Sequence, residues 1–280
     1  MYNLLRPMIQ YALTQTRRML AGSKTGLYLV TKLRNQCELT IGHAHGWGIS
    51  NDHELNGEGR WLRAVADRIQ YAVDVGANKG GWMDFLLQLK SLKGALLFEP
   101  SLSALAVLRT RFPGHPEVEI IEAAAGNAPG SVSFFEEDGA GETSSLISGF
   151  TQTSGKTRQI QITTVDDEVA KRGWPSVDFL KIDAEGFDFH VLEGSRKLFE
   201  AGKVSYGQFE YNSPWRNAGT TLTYAIQWLR DLGYNTFLVK PDGLHVPNVD
   251  RYREYYLYSN YAIVREDLVK DALRRVAPTP

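Results

Sequence analysis

Short apolar runs alternate with helix-like patterns from Tyr71 onward, and this alternation constrains the fold more than any other feature. Strands that alternate with helices form a parallel sheet with crossover helices. Strands are expected at residues 71–75, 95–99, 118–121, 177–183, 204–211, 236–239 and 255–264, and helices at 81–90, 102–111, 187–201 and 220–232. Only the loop 240–254 separates the last two strands, which is too short for a crossover helix, so those strands should pair antiparallel.

Two further strands are expected outside this rhythm, at residues 131–135 and 159–162. The polar residues 137–156 between them are rich in Gly, Ser and Thr and too many for a simple connector, so this loop is either functional or mobile. The first sixty residues show no such alternation. We therefore divide the chain into an accessory segment, residues 1–60, and a main domain, residues 61–280.

The N-terminal residues have the spacing of an amphipathic helix. One stripe collects Leu4, Leu5, Met8, Ile9, Ala12, Leu13, Met19 and Leu20, with Arg6, Arg17 and Arg18 elsewhere. Such a helix packs on the core or forms a homo-oligomer contact, or else lies on a membrane surface. The sequence has no run of about 18 apolar residues for a membrane span and no signal-peptide pattern. We expect a cytoplasmic protein, with peripheral membrane contact as the alternative.

Composition narrows the classes of partner. The formal net charge is -1, whereas a chain that binds nucleic acid usually carries a basic excess, so no nucleic-acid partner is expected. Cys37 is the single cysteine, so no intramolecular disulfide can form and a reducing compartment fits best.

A glycine-rich turn follows the first strand of the main domain, where residues 74–81 read Asp-Val-Gly-Ala-Asn-Lys-Gly-Gly. Glycines at a strand-to-helix turn let the backbone approach a ligand closely. A dinucleotide site needs a glycine where Asn78 stands, because that position must leave room for the pyrophosphate. Asp74 adds a negative charge that repels pyrophosphate but attracts an ammonium or sulfonium group. The turn therefore indicates a ligand without phosphate groups.

An acid stands at the end of the second strand, in Phe98-Glu99-Pro100. Glu99 follows Gly76 by 23 residues, close to the spacing of about 20 residues at which an acid binds ribose hydroxyls. Its two acceptor oxygens match the two hydroxyls of an adenosine ribose. The turn and the acid together indicate a nucleoside site.

Three motifs in this order resemble the FkbM family of methyltransferases: D-V-G-A-N-x-G, F-E-P, and K-I-D-A-E-G with V-L-E-G behind it. The resemblance covers residues 71–212. It implies a Rossmann-like class I methyltransferase fold, with a seven-stranded, mostly parallel sheet that closes in an antiparallel pair. It also implies S-adenosylmethionine as cofactor, and methyl transfer to a hydroxyl of a sugar, glycan or secondary metabolite.

By position in these motifs, the cofactor would contact Asp74, Gly76, Ala77, Asn78, Gly80, Glu99, Pro100, Glu122, Ala123 and Ala124. The residues of the glycine turn would lie along the methionine part, and Glu99 on the ribose. The resemblance places residues 122–124 near the adenine.

Methyl transfer to a hydroxyl oxygen needs alignment and a general base. The substrate of an open α/β sheet lies beyond the carboxyl ends of the strands, where Asp183 and Glu185 follow a strand. Asp183 is the first choice for the base and Glu185 the second. In an extended chain they would point to one face together with Lys181. Two carboxylates could also bind Mg²⁺, but we expect no metal at the site.

The acceptor is expected to contact Ser144, Ser145, Glu210, Tyr211 and Asn212. His43, His45 and His53 are expected in an acceptor-binding loop rather than a zinc site, because no third ligand is evident. Two other functions stay open, a nicotinamide-dependent oxidoreductase and a non-catalytic binding member of the methyltransferase fold. Asn78 in the place of a glycine disfavours the first, and the joint presence of the turn, Glu99 and Asp183 disfavours the second.

Overall fold

A computed structural model describes residues 2–46, 53–136, 146–147 and 156–277. The chain divides into two compact units, Met1–Ala44 and His45–Pro280. Ser144 and Ser145 lie outside the described residues, as does most of the polar loop 137–156.

The N-terminal unit consists of two helices, α1 at Tyr2–Ala21 and α2 at Lys24–Ala44. Ser23 lies between the two helices and caps α2, because its hydroxyl oxygen accepts the N–H of Gly26 at 2.8 Å. A Cβ at Gly26 would lie 2.4 Å from the carbonyl oxygen of Leu20, so the two helices meet closely there. The first helix matches the amphipathic pattern. No described helix is long and apolar enough to cross a membrane.

The second unit contains all the strands, and its bounds follow in chain order. The strands are β1 Tyr71–Val75, β2 Gly94–Phe98, β3 Val118–Ile121, β4 Ala124–Ala125, β5 Gly130–Glu136, β6 Lys156–Thr163, β7 Val177–Ile182, β8 Val204–Tyr211, β9 Tyr234–Lys240, β10 Gly243–His245 and β11 Ser259–Arg265. The helices are α3 His53–Asn56, α4 Glu58–Val65, α5 Gly81–Leu89, α6 Leu102–Arg111, α7 Val165–Lys171, α8 Asp188–Glu193, α9 Arg196–Glu200, α10 Pro214–Asn217, α11 Leu222–Asp231, α12 Val249–Tyr252 and α13 Val269–Val276.

The main sheet has the order β10-β9-β11-β8-β7-β1-β2-β3. Strands β3, β2, β1, β7 and β8 run parallel, and β11 pairs antiparallel with both β8 and β9. The predicted α/β class and the antiparallel closing pair are therefore confirmed. The sheet has eight strands rather than seven, because part of the predicted loop 240–254 forms β10, which pairs antiparallel with β9.

A second sheet of three strands, in the order β4-β6-β5, carries the strands that broke the rhythm. Strands β5 and β6 pair antiparallel along their whole length, and β4 joins β6 in parallel. Their inward side chains, Ala124, Phe134 and Ile160, form a small apolar cluster of their own.

The single helix predicted at residues 187–201 is two helices, α8 and α9, with a break at Gly194 and Ser195. A Cβ at Gly194 would lie 1.8 Å from the carbonyl oxygen of Gly126, the residue that follows β4 of the second sheet. The backbone at Gly194 therefore lies in close contact with the end of β4. The carbonyl of Gly194 also accepts the N–H of Asp166 at 3.0 Å. This contact with another segment diverts the backbone from one continuous helix, and the helical spacing of side chains does not reveal it.

The second unit begins at His45, earlier than the predicted boundary at residue 60. Trp61, on α4, is completely buried and lies edge-on to Tyr206 with ring centroids 5.7 Å apart. Its indole N–H donates to the carbonyl of Gly207 at 3.4 Å. Helix α4 is thus part of the α/β core.

Candidate active site

A cavity of about 600 Å³ opens where β1, β2, β7 and β8 end. Its volume lies in the range of about 300–1,000 Å³ that is usual for small-molecule sites. The residues singled out from the sequence that line it are Gly76, Ala77, Asn78, Glu99, Pro100, Ala124, Asp183, Glu185, Glu210 and Asn212. Parallel strands end at one edge of a sheet, and this brings the three motifs together.

The glycine turn is locked to two neighbouring strands. Gly76 has φ 76°, and a Cβ there would lie 1.9 Å from the carbonyl oxygen of Asp183. Its N–H donates to the carbonyl of Phe98 at 3.0 Å, and the N–H of Asp183 donates to Val75 at 2.9 Å. A glycine is required here by both its backbone angle and the close approach of the chain.

Glu99 holds the turn in place through backbone amides. One carboxylate oxygen accepts the N–H of Asn78 at 2.7 Å, and the other accepts the N–H of Ser101 at 2.7 Å. Asn78 itself has φ 47°, the left-handed conformation that Asn adopts more readily than most residues. Carboxylate oxygens each accept more than one hydrogen bond. The carboxylate that fixes the turn is therefore also suited to a pair of ribose hydroxyls.

An apolar wall continues the cavity beside Glu99. It is formed by Ala124, Ala125, Phe134 and Leu146, of which only Ala124 was expected from the sequence. Small apolar side chains and an aromatic ring suit a flat heterocycle.

Two of the residues expected near adenine lie elsewhere. Glu122 is exposed and pairs with Arg109, and Ala123 is absent from the cavity lining. The chain turns at this point, where Ala123 donates to the carbonyl of Ile121 at 2.8 Å before entering β4. Only Ala124 of the three residues reaches the cavity.

Asp74 and Gly80 also stay outside the lining. Asp74 is completely buried, and neither of its carboxylate oxygens has a hydrogen-bond partner among the described residues. Its Oδ1 lies 3.6 Å from Nζ of Lys181. Burial raises the pKa of Asp74, although the Lys181 ammonium opposes the rise. Gly80, at φ 83°, caps α5, and a Cβ there would meet the Phe112 ring at 2.8 Å. Asp74 therefore acts on the cavity through Lys181.

Lys181 supplies positive charge at the centre of the site. Its ammonium donates to Oδ2 of Asp183 at 3.1 Å, and it is buried while Asp183 is 35% exposed. Burial alone would lower the pKa of Lys181, but the carboxylates of Asp183, Asp74 and Glu58 outweigh burial and raise it. Lys181 is therefore a fixed cation that orients Asp183.

Three carboxylates converge beside this pair. Oxygen atoms of Asp183, Glu185 and Glu210 all lie within 4.8 Å of one another. The expected extended geometry does not bring them together, because β7 ends at Ile182 and Glu185 has φ 48°. The left-handed turn at Glu185 carries its carboxylate back towards β8, where Asn212 donates to Glu210 at 2.5 Å and to Glu185 at 3.4 Å.

The turn that carries Glu185 is fixed by a buried acid, Asp188. Its carboxylate accepts the N–H groups of Gly186 at 3.1 Å and Ala184 at 3.4 Å. Burial, together with the charge of Asp183, raises the pKa of Asp188 to about 7. A Cβ at Gly186 would lie 2.3 Å from Cβ of Pro214, so α10 packs directly against this turn.

Burial raises the pKa of Glu210 well above its ordinary value, and the charges of Asp183, Glu185 and Asp188 add to the rise. A protonated Glu210 removes one negative charge from the cluster and can itself donate a hydrogen bond. The three acids can thus accept and donate hydrogen bonds to hydroxyl groups, and their hard oxygen atoms also match a divalent cation.

A histidine–glutamate pair lines the same cavity and was missed as a pair. Nδ1 of His53 lies 2.6 Å from Oε2 of Glu58, and the other oxygen of Glu58 accepts Nδ2 of Asn260. The hydrogen bond to Glu58 raises the pKa of His53. Because α3 and α4 lie more than a hundred residues from the sheet residues that they meet, no local motif signals this pair. His43 and His45 are not in the lining.

Tyr211 does not face the cavity as expected. Its side chain is completely buried, its hydroxyl donates to Glu254 at 2.9 Å, and its ring lies 5.3 Å from that of Trp215. Alternation along β8 explains the difference, because Glu210 and Asn212 point to the cavity side and Tyr211 to the other. Tyr256 and Tyr258 line the cavity instead.

The sequence motifs that form this site lie in a region of the chain that matches a known protein family. The family described as the methyltransferase FkbM domain matches residues 74–236, more than half of the chain. This protein belongs to the FkbM methyltransferase family. Membership implies methyl transfer that depends on S-adenosylmethionine. The matched residues contain the glycine turn, Glu99 and the whole carboxylate cluster of this chain.

Solved structures give a weaker likeness. An FkbM methyltransferase from Methylobacillus flagellatus KT is 16% identical, with 69% of this chain and 43% of that chain covered and a TM-score of 0.43. The chain thus spans less than half the length of that protein. A putative methyltransferase from Streptococcus mutans, in complex with SAH, is 12% identical, with 74% and 94% covered and a TM-score of 0.42. No curated protein matches the chain.

Proposed function

We propose that this FkbM methyltransferase transfers a methyl group from S-adenosylmethionine to a hydroxyl oxygen of a sugar, glycan or secondary metabolite. One observation carries the proposal: a single cavity joins the glycine turn and Glu99 with three converging carboxylates. The first part suits a nucleoside, and the second suits a molecule with several hydroxyl groups.

The cofactor fits one half of the cavity on chemical grounds. Gly76 and Ala77 present backbone without bulky side chains, and Glu99 presents acceptor oxygens for the ribose. The wall of Ala124 and Phe134 matches an adenine ring. The cluster of carboxylates makes this cavity attractive to a cation such as a sulfonium. The bound cofactor would supply an electrophilic methyl group.

The acceptor occupies the other half, in our proposal, with its hydroxyl on Asp183. Lys181 binds Oδ2 of Asp183, which leaves Oδ1 to accept the hydroxyl hydrogen. The cofactor would supply the methyl group and leave as S-adenosylhomocysteine, with the electrons of the broken sulfur–methyl bond on its sulfur. Asp183 would take the hydroxyl proton, and Glu185 is the second choice for this role. Glu210 and Asn212 would hold neighbouring hydroxyls, and His53, fixed by Glu58, would add a further contact.

A labelled-methyl assay tests the function. The purified protein is incubated with methyl-labelled S-adenosylmethionine and a panel of sugars, glycans and hydroxylated metabolites, and the products are analysed by mass spectrometry and NMR. We expect label on an acceptor oxygen, and label that appears at least about a hundredfold more slowly with the Asp183→Asn variant. Label on nitrogen or carbon would contradict O-methylation. Oxidation of NADH without methyl transfer would replace the proposal by a reductase.

A further inference from the structure

The N-terminal unit exposes an unusually large amount of apolar side chain. On α1, Met8 is 69% exposed, Ile9 56% and Met19 69%. On α2, the exposed residues are Leu27, Tyr28, Leu29, Val30 and Leu33. Among the described residues of both helices, Gly26 and Gly42 are the buried ones, so no described apolar side chain of this unit is buried.

The exposed residues of α1 form a stripe and are not scattered. At 100° per residue, Met8, Ala12 and Met19 fall within about 40° of one another, with Ile9 beside them. Gln10, Thr14 and Arg17 fall on the opposite side. The hydroxyl of Thr14 donates to the carbonyl of Gln10 at 2.8 Å, which satisfies a polar group within the polar face. A continuous apolar face on a water-exposed helix marks a contact surface.

Charge separates the two units of the chain. Residues 2–44 hold six Lys and Arg and a single acid, Glu38, whereas the rest of the chain holds 25 Lys and Arg and 31 Asp and Glu. The unit that carries the apolar stripe is therefore strongly basic, although the whole chain is nearly neutral. Two copies of this unit would repel each other, whereas a surface of negative charge would attract it.

We propose that α1 and the first half of α2 bind the surface of an anionic lipid bilayer. The apolar stripe enters the boundary of headgroups and acyl chains, and the positive charge of the unit, to which Arg17, Arg18 and Lys24 contribute, attracts it to the anionic lipid surface. Neither helix can span the membrane, so the contact is peripheral. The proposal concerns where the enzyme works and is independent of the methyl transfer reaction.

Vesicle sedimentation of the full chain tests the proposal. Wild type is mixed with vesicles of pure phosphatidylcholine, or of phosphatidylcholine with about 30% phosphatidylglycerol, and pelleted. We expect binding to the anionic vesicles alone. Each basic residue near such a surface contributes about fivefold, so Arg17→Glu with Arg18→Glu should lower partitioning by at least about tenfold. The matched control is Lys93→Glu with Lys270→Glu, an equal charge change at exposed residues of the second unit, which should change partitioning little.

A second variant tests the apolar stripe at constant charge. Met8→Ser with Ile9→Ser should also weaken pelleting, while circular dichroism and cofactor binding report folding of each variant. Absence of wild-type pelleting with anionic vesicles would overturn the proposal. Equal losses in the Arg17/Arg18 and Lys93/Lys270 variants would overturn it too, because the attraction would not be local. A wild-type dimer in sedimentation that the serine variant converts to monomer, without vesicle binding, would assign the stripe to a second copy of the chain.

Discussion

Replacing Asp183 by Asn tests the chemical step with little change in shape. The Asn oxygen can still accept the hydrogen bond from Lys181, which spans 3.1 Å in the native protein. Lys181 also stays charged, because Asp74 and Glu58 still favour its protonated form. The variant therefore loses the proton acceptor and keeps the packing of the site.

The size of the effect follows from the role of a positioned base. Such a group contributes about 10²- to 10⁴-fold to the rate, so turnover should fall by that factor. This corresponds to an activation barrier that is higher by about 3–5 kcal/mol. Affinity for S-adenosylhomocysteine should change by less than about threefold, because the proposed ribose and turn contacts lie at Glu99 and Gly76. Single-turnover rates with labelled cofactor and calorimetric titration measure the two quantities separately.

Glu185→Gln serves as the comparison, since Glu185 also lies in the cluster and touches Asn212. A large loss at Glu185 with Asp183→Asn near wild type would show that the other acid takes the proton. If neither variant slows turnover, alignment alone carries the reaction and the assignment of a base fails. A tenfold weaker cofactor affinity in Asp183→Asn would refute the separation of binding from chemistry.

Three further predictions concern the frame of the site. Gly76→Ala should lower the free energy of unfolding by at least about 2 kcal/mol in urea titrations, because its Cβ would lie 1.9 Å from the carbonyl oxygen of Asp183. The control Gly81→Ala should be near neutral, because the space around its Cβ is open. Equal effects of the two variants would contradict this explanation. Because the pKa of Glu210 is raised in the folded protein, protonation of its carboxyl stabilises the fold. This stabilisation is fully present below the ordinary pKa of Glu and is lost as pH rises through the raised pKa. As pH rises from about 4 to about 8, the melting temperature of Glu210→Gln should therefore fall less than that of wild type, with about 2–4 °C for each kcal/mol. Equal falls in the two proteins would argue against a raised pKa of Glu210. EDTA should leave turnover unchanged, because the Lys181 ammonium already binds Asp183 and the Asn212 amide donates to Glu210 and Glu185. A loss of turnover that Mg²⁺ restores would assign the acids to a metal.

Local patterns predicted the sheet strands and the family well. The strands at residues 71–75, 118–121 and 204–211 have the bounds expected from their apolar runs. Ser101, directly before α6, is of a residue type favoured at helix N-caps, and its hydroxyl accepts the N–H of Ala104. These features depend on neighbouring residues, which is the information that a sequence pattern contains.

Long-range contacts account for what the sequence did not show. The His53–Glu58 pair meets Asn260 across some two hundred residues, and Glu210 reaches the cluster from another strand. Glu185 reaches Asp183 through a left-handed turn and not through the expected extended backbone. Helix α2 was missed because its apolar residues do not repeat at a clear helical period, and the break at Gly194 depends on a contact with Gly126. None of these follows from spacing along the chain.

We propose that the cavity at the glycine turn binds S-adenosylmethionine through Glu99, and calorimetric titration with S-adenosylhomocysteine tests this binding most directly. Wild type should bind, and Glu99→Ala should weaken binding by about 1.5–3 kcal/mol, the value for hydrogen bonds to a charged group. The matched control is Glu122→Ala, an acid of the same motif region that points to solvent and pairs with Arg109, and its affinity should equal that of wild type. Binding that is unchanged in Glu99→Ala, or lost equally in Glu122→Ala, would contradict the account.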